Sequence, residues 1–107
     1  MFKCYHNEES QISMGLSGKY GGINFHQHQG VFNQLIYGRK LWYIARPDIP
    51  TRLMGNRTSF ESLHKFHDRP ELMKCVQEED DIIFIPNYFY HLTFNLKPVF
   101  MAGCFER

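Results

Sequence analysis

The chain has 107 residues, of which 43% are apolar and 16% aromatic, and 12 basic against 11 acidic side chains leave a formal net charge of +1. That length supports one small core, drawn here as a single domain over 1–107, and the apolar content excludes a disordered chain. The balanced charge offers no footprint for nucleic acid or an anionic membrane, and no apolar run reaches the ~20 residues that span a bilayer.

Residues 1–9 (MFKCYHNEE) are polar and lack the apolar stretch of a signal peptide. Taken alone they predict a cytoplasmic protein, or a chain whose true N-terminus lies elsewhere. The glycines of 18–22 (GKYGG) mark a turn before a strand over 23–28 (INFHQH). A second strand over 32–37 runs into Gly38-Arg39, a pair suited to a tight hairpin, and 40–45 (KLWYIA) reads as the return strand, ended by Pro47 and Pro50. The polar stretch 48–72 reads as an insertion. Within it Phe60, Leu63 and Phe66 fall at helical spacing behind Thr58 or Ser59 as N-cap. Strands are predicted again over 73–77, 81–85, 89–95 and 99–105. Many short strands with Gly and Pro punctuation point to a β-sandwich or barrel.

His26 and His28 flank one residue of a predicted strand, so both imidazoles project to one face. His91, on a strand far along the chain, is placed to join them if the two strands face each other across a barrel. Three such ligands could hold one metal ion. The same spacing also suits polar strand residues satisfied by backbone or water. His64 and His67 lack a partner carboxylate or thiol and read as a solvated pair, as does the turn 78–81 (EEDD). Cys4, Cys75 and Cys104 are too widely spaced for a zinc motif and allow either one bridge or three free thiols. Asn56-Arg57-Thr58 is a formal N-glycosylation acceptor, relevant only to a secreted chain.

Residues 22–28 (GINFHQH), 32–42 (FNQLIYGRKLW) and 83–96 (IFIPNYFYHLTFNL), in this order and spacing, resemble a jumonji-C (JmjC) domain. The resemblance runs over about 12–105. It is strongest to small JmjC-only proteins of the endoplasmic reticulum lumen, which share the His-x-His form, the Ile-Tyr-Gly-Arg-Lys turn, an Asn-x-Thr in the insertion and a cysteine at position 75. It implies a mainly β, cupin-like jelly roll (a double-stranded β-helix) with a short helical insertion over 48–72. It further implies a domain that binds iron(II) and 2-oxoglutarate and hydroxylates a protein or other substrate.

Carried over residue by residue, His26, His28 and His91 would hold the metal and Lys40 would clamp the distal carboxylate of 2-oxoglutarate. Asn33 and Asn95 would sit around the co-substrate, and Arg39 would be solvated. Trp42, Tyr43, Phe84, Tyr88, Phe89, Tyr90 and Phe94 would form core and pocket wall. Position 28 departs from the family, which has a carboxylate there. Three neutral imidazoles suit zinc, or leave the site without iron-dependent turnover. The alternative is therefore a catalytically impaired interaction module of the secretory pathway, with a protein partner. Asp80 stands where the family usually has glycine. Only about twenty residues precede the glycine-rich turn, so the expected barrel is short at its N-terminal side, with a sheet edge open to self-association. Lumenal localisation is implied if a signal peptide precedes this sequence.

Overall fold

A computed structural model describes residues 10–49 and 52–106. In chain order it has β1 (Ser10–Ser17), β2 (Val31–Tyr37), β3 (Lys40–Ala45), α1 (Ser59–Phe66), β4 (Met73–Gln77), β5 (Ile82–Ile85), β6 (Tyr90–Asn95) and β7 (Val99–Glu106). Two antiparallel sheets form, in the orders β1-β7-β2-β5 and β4-β3-β6.

The period of two along each strand decides which side chains meet between the sheets. On β2 that set is Val31, Asn33 and Leu35, all buried. Across the gap stand Lys40, Trp42 and Ile44 of β3, paired in register with Asn95, Thr93 and His91 of β6. One side of this interior is filled by Val31, Trp42, Ile44 and Ile85. The other side holds the polar residues described below.

β6 is buried on both faces because the insertion covers its back. Phe66, Leu53 and Leu72 pack with Phe25 on Tyr43, Ala45 and Leu92. Helix α1 starts at a capping box: Thr58 accepts from the Glu61 backbone N–H at 3.1 Å, and the Glu61 carboxylate accepts from Thr58 N–H at 3.1 Å. Thr58→Ala is expected to cost about 1 kcal/mol, the usual worth of such a cap, read as a lower urea midpoint with unchanged slope. An unchanged midpoint would show that packing alone holds the helix.

Three expectations need correction. The first concerns the Gly38-Arg39 turn, which does not make a hairpin: β2 pairs with β5 and β7, and β3 with β4 and β6. Gly38 instead carries the chain from one sheet to the other. Its φ is +105°, and a Cβ there would fall 2.2 Å from the Pro98 carbonyl oxygen, so only glycine fits the crossing. Second, residues 23–28 are not a regular strand. The segment runs beside β6 through hydrogen bonds from Thr93 N–H to Ile23 O, reciprocally between His26 and His91, and from Tyr88 N–H to His28 O, with a single bridge at His26–His91. Third, Phe84 and Tyr88 are 45% and 60% exposed, so neither is core.

β1 was not anticipated. It adds an eight-residue edge strand on the N-terminal side of the glycine turn and pairs along the whole of β7. At the turn 78–81, Asp80 takes a φ of +71°, the left-handed conformation that a glycine would adopt freely. Its N–H bonds Leu35 O at 2.7 Å, while the Asp81 carboxylate accepts from Glu78 N–H at 2.9 Å. Asp tolerates this region better than most residues, so the turn survives the substitution.

Candidate metal centre

The single bridge between the 20–28 segment and β6 sets His26 directly opposite His91, both facing the interior. The ring centroids of His26, His28 and His91 are 4.1 to 5.3 Å apart. One nitrogen from each ring lies within 4.8 Å of the other two.

All three rings are oriented in the same way. Nδ1 of His26 bonds the Asn24 carbonyl at 2.8 Å, Nδ1 of His28 that of Gln29 at 2.7 Å, and Nδ1 of His91 that of Phe89 at 3.0 Å. A carbonyl oxygen only accepts, so each Nδ1 carries the proton and each neutral ring keeps its lone pair on Nε2. Nε2 of His28 and Nε2 of His91 then stand 3.0 Å apart. Two lone pairs at that distance repel unless a proton or a cation lies between them. The proton is disfavoured at His91, which is 2% exposed. Burial, then the neighbouring His26, holds its pKa down at about 3, against the Phe89 carbonyl that pulls it up. His26 is also lowered, chiefly by burial. Burial thus favours neutral His26 and His91, and all three rings have Nδ1 bonded to backbone, the arrangement that metal-ligating histidines adopt; the donor set fits a divalent ion.

The triad lines a cavity of about 270 Å³ together with Asn33, Lys40, Trp42, Thr93 and Met101. Among the described residues no Asp or Glu lines it. Lys40 is 3% exposed and its Nζ lies 2.7 Å from the Met101 thioether and 5.2 Å from the Trp42 ring centroid. Burial without a carboxylate lowers the Lys40 pKa to about 8. Asn33 donates to the same sulfur at 3.3 Å, and Gln77, accepting from Trp42 Nε1 at 2.9 Å, donates to Asn33.

His26, His28, His91, Lys40 and Asn33 are thus brought together in one cavity. Asn95 is not among its walls; it is 1% exposed, donates to Gly18 O at 3.0 Å, and its Oδ1 has no partner. Asn56 is exposed in a bend of the insertion. Arg39 is half exposed and pairs with Glu78 at 2.8 Å. His64 and His67 are both exposed. Cys75 is a free thiol and Cys104 is disulfide-bonded, whereas Cys4 and His6 lie outside the described residues. Gln77, Thr93 and Met101 were missed by sequence reading. Their only signal was alternation on strands, which marks a face and not a role.

No protein-family profile matches the chain. Among curated proteins it is similar to JmjC domain-containing protein 8 of Mus musculus, 28% identical over 88 residues, a match covering 78% of this chain and 33% of that protein. The chain therefore spans about a third of the length of the curated relatives it matches. Among solved structures it is similar to a cupin superfamily protein from Desulfitobacterium hafniense, with TM-score 0.63 and 10% identity over 95% of this chain and 71% of that one. It is also similar to the cupin domain of CENP-C from Drosophila melanogaster, with TM-score 0.65 and 11% identity over 97% and 66%.

Proposed function

We propose, from the premise of a JmjC-like sequence on a cupin-like jelly roll, that this chain binds a divalent metal and 2-oxoglutarate as the core of a protein hydroxylase. The observation that carries the reading is that His26, His28 and His91 each tie Nδ1 to a backbone carbonyl while one ring nitrogen of each lies within 4.8 Å of the other two. When bound, iron(II) would supply oxygen activation coupled to oxidative decarboxylation of 2-oxoglutarate to succinate and carbon dioxide. The chain's residues would do the rest. The triad holds the ion, Lys40 offers a buried ammonium to the distal carboxylate, Asn33 donates beside it, and Trp42 walls the cavity from water.

Lys40→Met is expected to weaken 2-oxoglutarate by about ten- to a hundredfold, since a charged hydrogen bond is worth roughly 1.5–3 kcal/mol. Titration calorimetry on metal-loaded protein reads this. In the wild type the affinity should fall as pH rises past about 8, where the ligand-free Lys40 loses its proton. Heat of binding absent from both the wild type and His28→Asp would overturn the reading.

A second reading has its own support. Among the described residues the cavity offers no carboxylate, the anionic oxygen donor of a two-His, one-carboxylate iron centre. On this reading the chain is a catalytically impaired module holding zinc or no metal, and it acts through a protein partner. Metal content by mass spectrometry separates the two: stoichiometric iron with succinate release favours the first, zinc without turnover the second. We also propose the endoplasmic reticulum lumen as its compartment, supported by the disulfide at Cys104 and the exposed Asn56 acceptor. Glycosidase sensitivity of the protein made in cells tests it. No helix among the described residues is long and apolar enough to cross a membrane.

A further inference from the structure

Met101 reaches the polar end of the cavity. Its register partners Gly15 and Leu35 fix its side chain on the interior face of β7, where its sulfur receives both polar donors of that end of the cavity, Lys40 Nζ at 2.7 Å and Asn33 Nδ2 at 3.3 Å. A thioether is a weak acceptor. A buried ammonium and a buried amide sharing one sulfur are poorly satisfied, and a carboxylate oxygen would serve both far better. The sulfur therefore marks where an anionic oxygen of a ligand belongs, and it occupies that position itself.

Met101 is also built to leave. It is half-buried on an unbranched chain with three rotatable bonds. Its methyl end rests against the bare backbone of Gly15, where an added Cβ would lie 3.3 Å from Cε. The neighbouring wall at Gly103 likewise presents no side chain.

We infer that Met101 is a displaceable occupant of the anion subsite, a residue that sets the affinity of this chain for carboxylate ligands by competing for Lys40 and Asn33. The inference rests on the anion-binding reading above and adds a determinant that neither Lys40 nor the triad supplies. It makes two substitutions act in opposite directions. Met101→Ala removes the competitor and opens the cavity. Met101→Gln keeps the length but offers Lys40 an amide oxygen, a stronger acceptor than sulfur, and so holds the subsite shut.

The test is calorimetric binding of 2-oxoglutarate to the zinc-loaded protein, a form that binds without turnover. Met101→Ala should bind about tenfold tighter than wild type, and Met101→Gln about tenfold more weakly, a hydrogen bond's net worth in each direction. In the Lys40→Met background, Met101→Ala should bring no gain. Thermal melts accompany each variant, and either substitution alone suffices for the comparison if the other does not fold. Binding by Met101→Ala no tighter than wild type, or by Met101→Gln no weaker, overturns the role of Met101 while leaving the anion site in place. No binding by any form, Lys40→Met behaving like the wild type, overturns the anion site and this inference with it.

Discussion

Replacement of His91 by alanine is expected to abolish the divalent-ion binding proposed for the triad. His91 is the histidine at the centre of the triad, bonded by backbone to His26 and facing His28 through Nε2 at 3.0 Å. Without it the remaining two imidazoles come from one irregular segment, and the ion has no ligand from the rigid sheet. Loss of a residue that merely orients a ligand costs 10–100-fold in metal affinity, so loss of this one should cost ~100-fold or more. Competition against a chromophoric chelator measures it, with metal content after dialysis as the cruder check. Wild-type affinity in His91→Ala would remove His91 from the ligand set. The informative contrast is His28→Asp, which supplies the missing carboxylate. It should keep the ion and shift preference from zinc toward iron(II).

The second large effect is on stability in acid. In the metal-free protein His91 is held neutral by burial, with a folded pKa of about 3 against an ordinary value of 6.5. Between these values the unfolded chain takes up a proton that the folded chain refuses, so stability rises with pH across that window. Stability is therefore full above about pH 6.5 and is lost as pH falls toward 3. Each pH unit within the window is worth up to about 1.4 kcal/mol from this one group. His26, also lowered, acts in the same direction. Urea unfolding of the metal-free protein from pH 7 to pH 4 reads the slope. His91→Phe should flatten it. Equal slopes in the two proteins would show that acid unfolding has another origin.

Much of this was legible in the sequence because it depends on local rules. The strands β2 to β7 and helix α1 follow from alternation, proline punctuation and the Thr58–Glu61 cap, all properties of neighbouring residues. What failed was pairing. Gly38-Arg39 looks like a hairpin turn because the two flanking strands are adjacent in sequence; that they lie in different sheets is set by partners far along the chain, and the crossing brings Gly38 against Pro98 and Val99, sixty residues away. The 23–28 segment has strand composition, yet its shape is dictated by Gly22, held at φ +148° with no room for a Cβ beside Thr93. The same division holds at the site. His26, His28 and His91 were visible as residue types at telling spacings. Met101 and Gln77 were not, because their roles are created only by what stands across the sandwich. Asn95 was singled out by its place in a motif, while in the fold its amide is engaged by the Gly18 carbonyl and it does not line the cavity.

One connection in the fold ties two parts of the molecule into a common equilibrium. Asn24 receives the Nδ1 proton of His26 on its carbonyl, while its side chain donates to Gly55 O at 3.0 Å and accepts from the Ser62 hydroxyl on α1. The helical insertion and the first ligand therefore grip the same residue from opposite sides. Coupling of this kind is reciprocal: an occupied metal centre should slow amide exchange across the insertion, and a loosened insertion should speed release of the ion. If the centre binds its ion, the insertion would be a handle on it, reachable from the surface near Asn56 without any ligand entering the cavity.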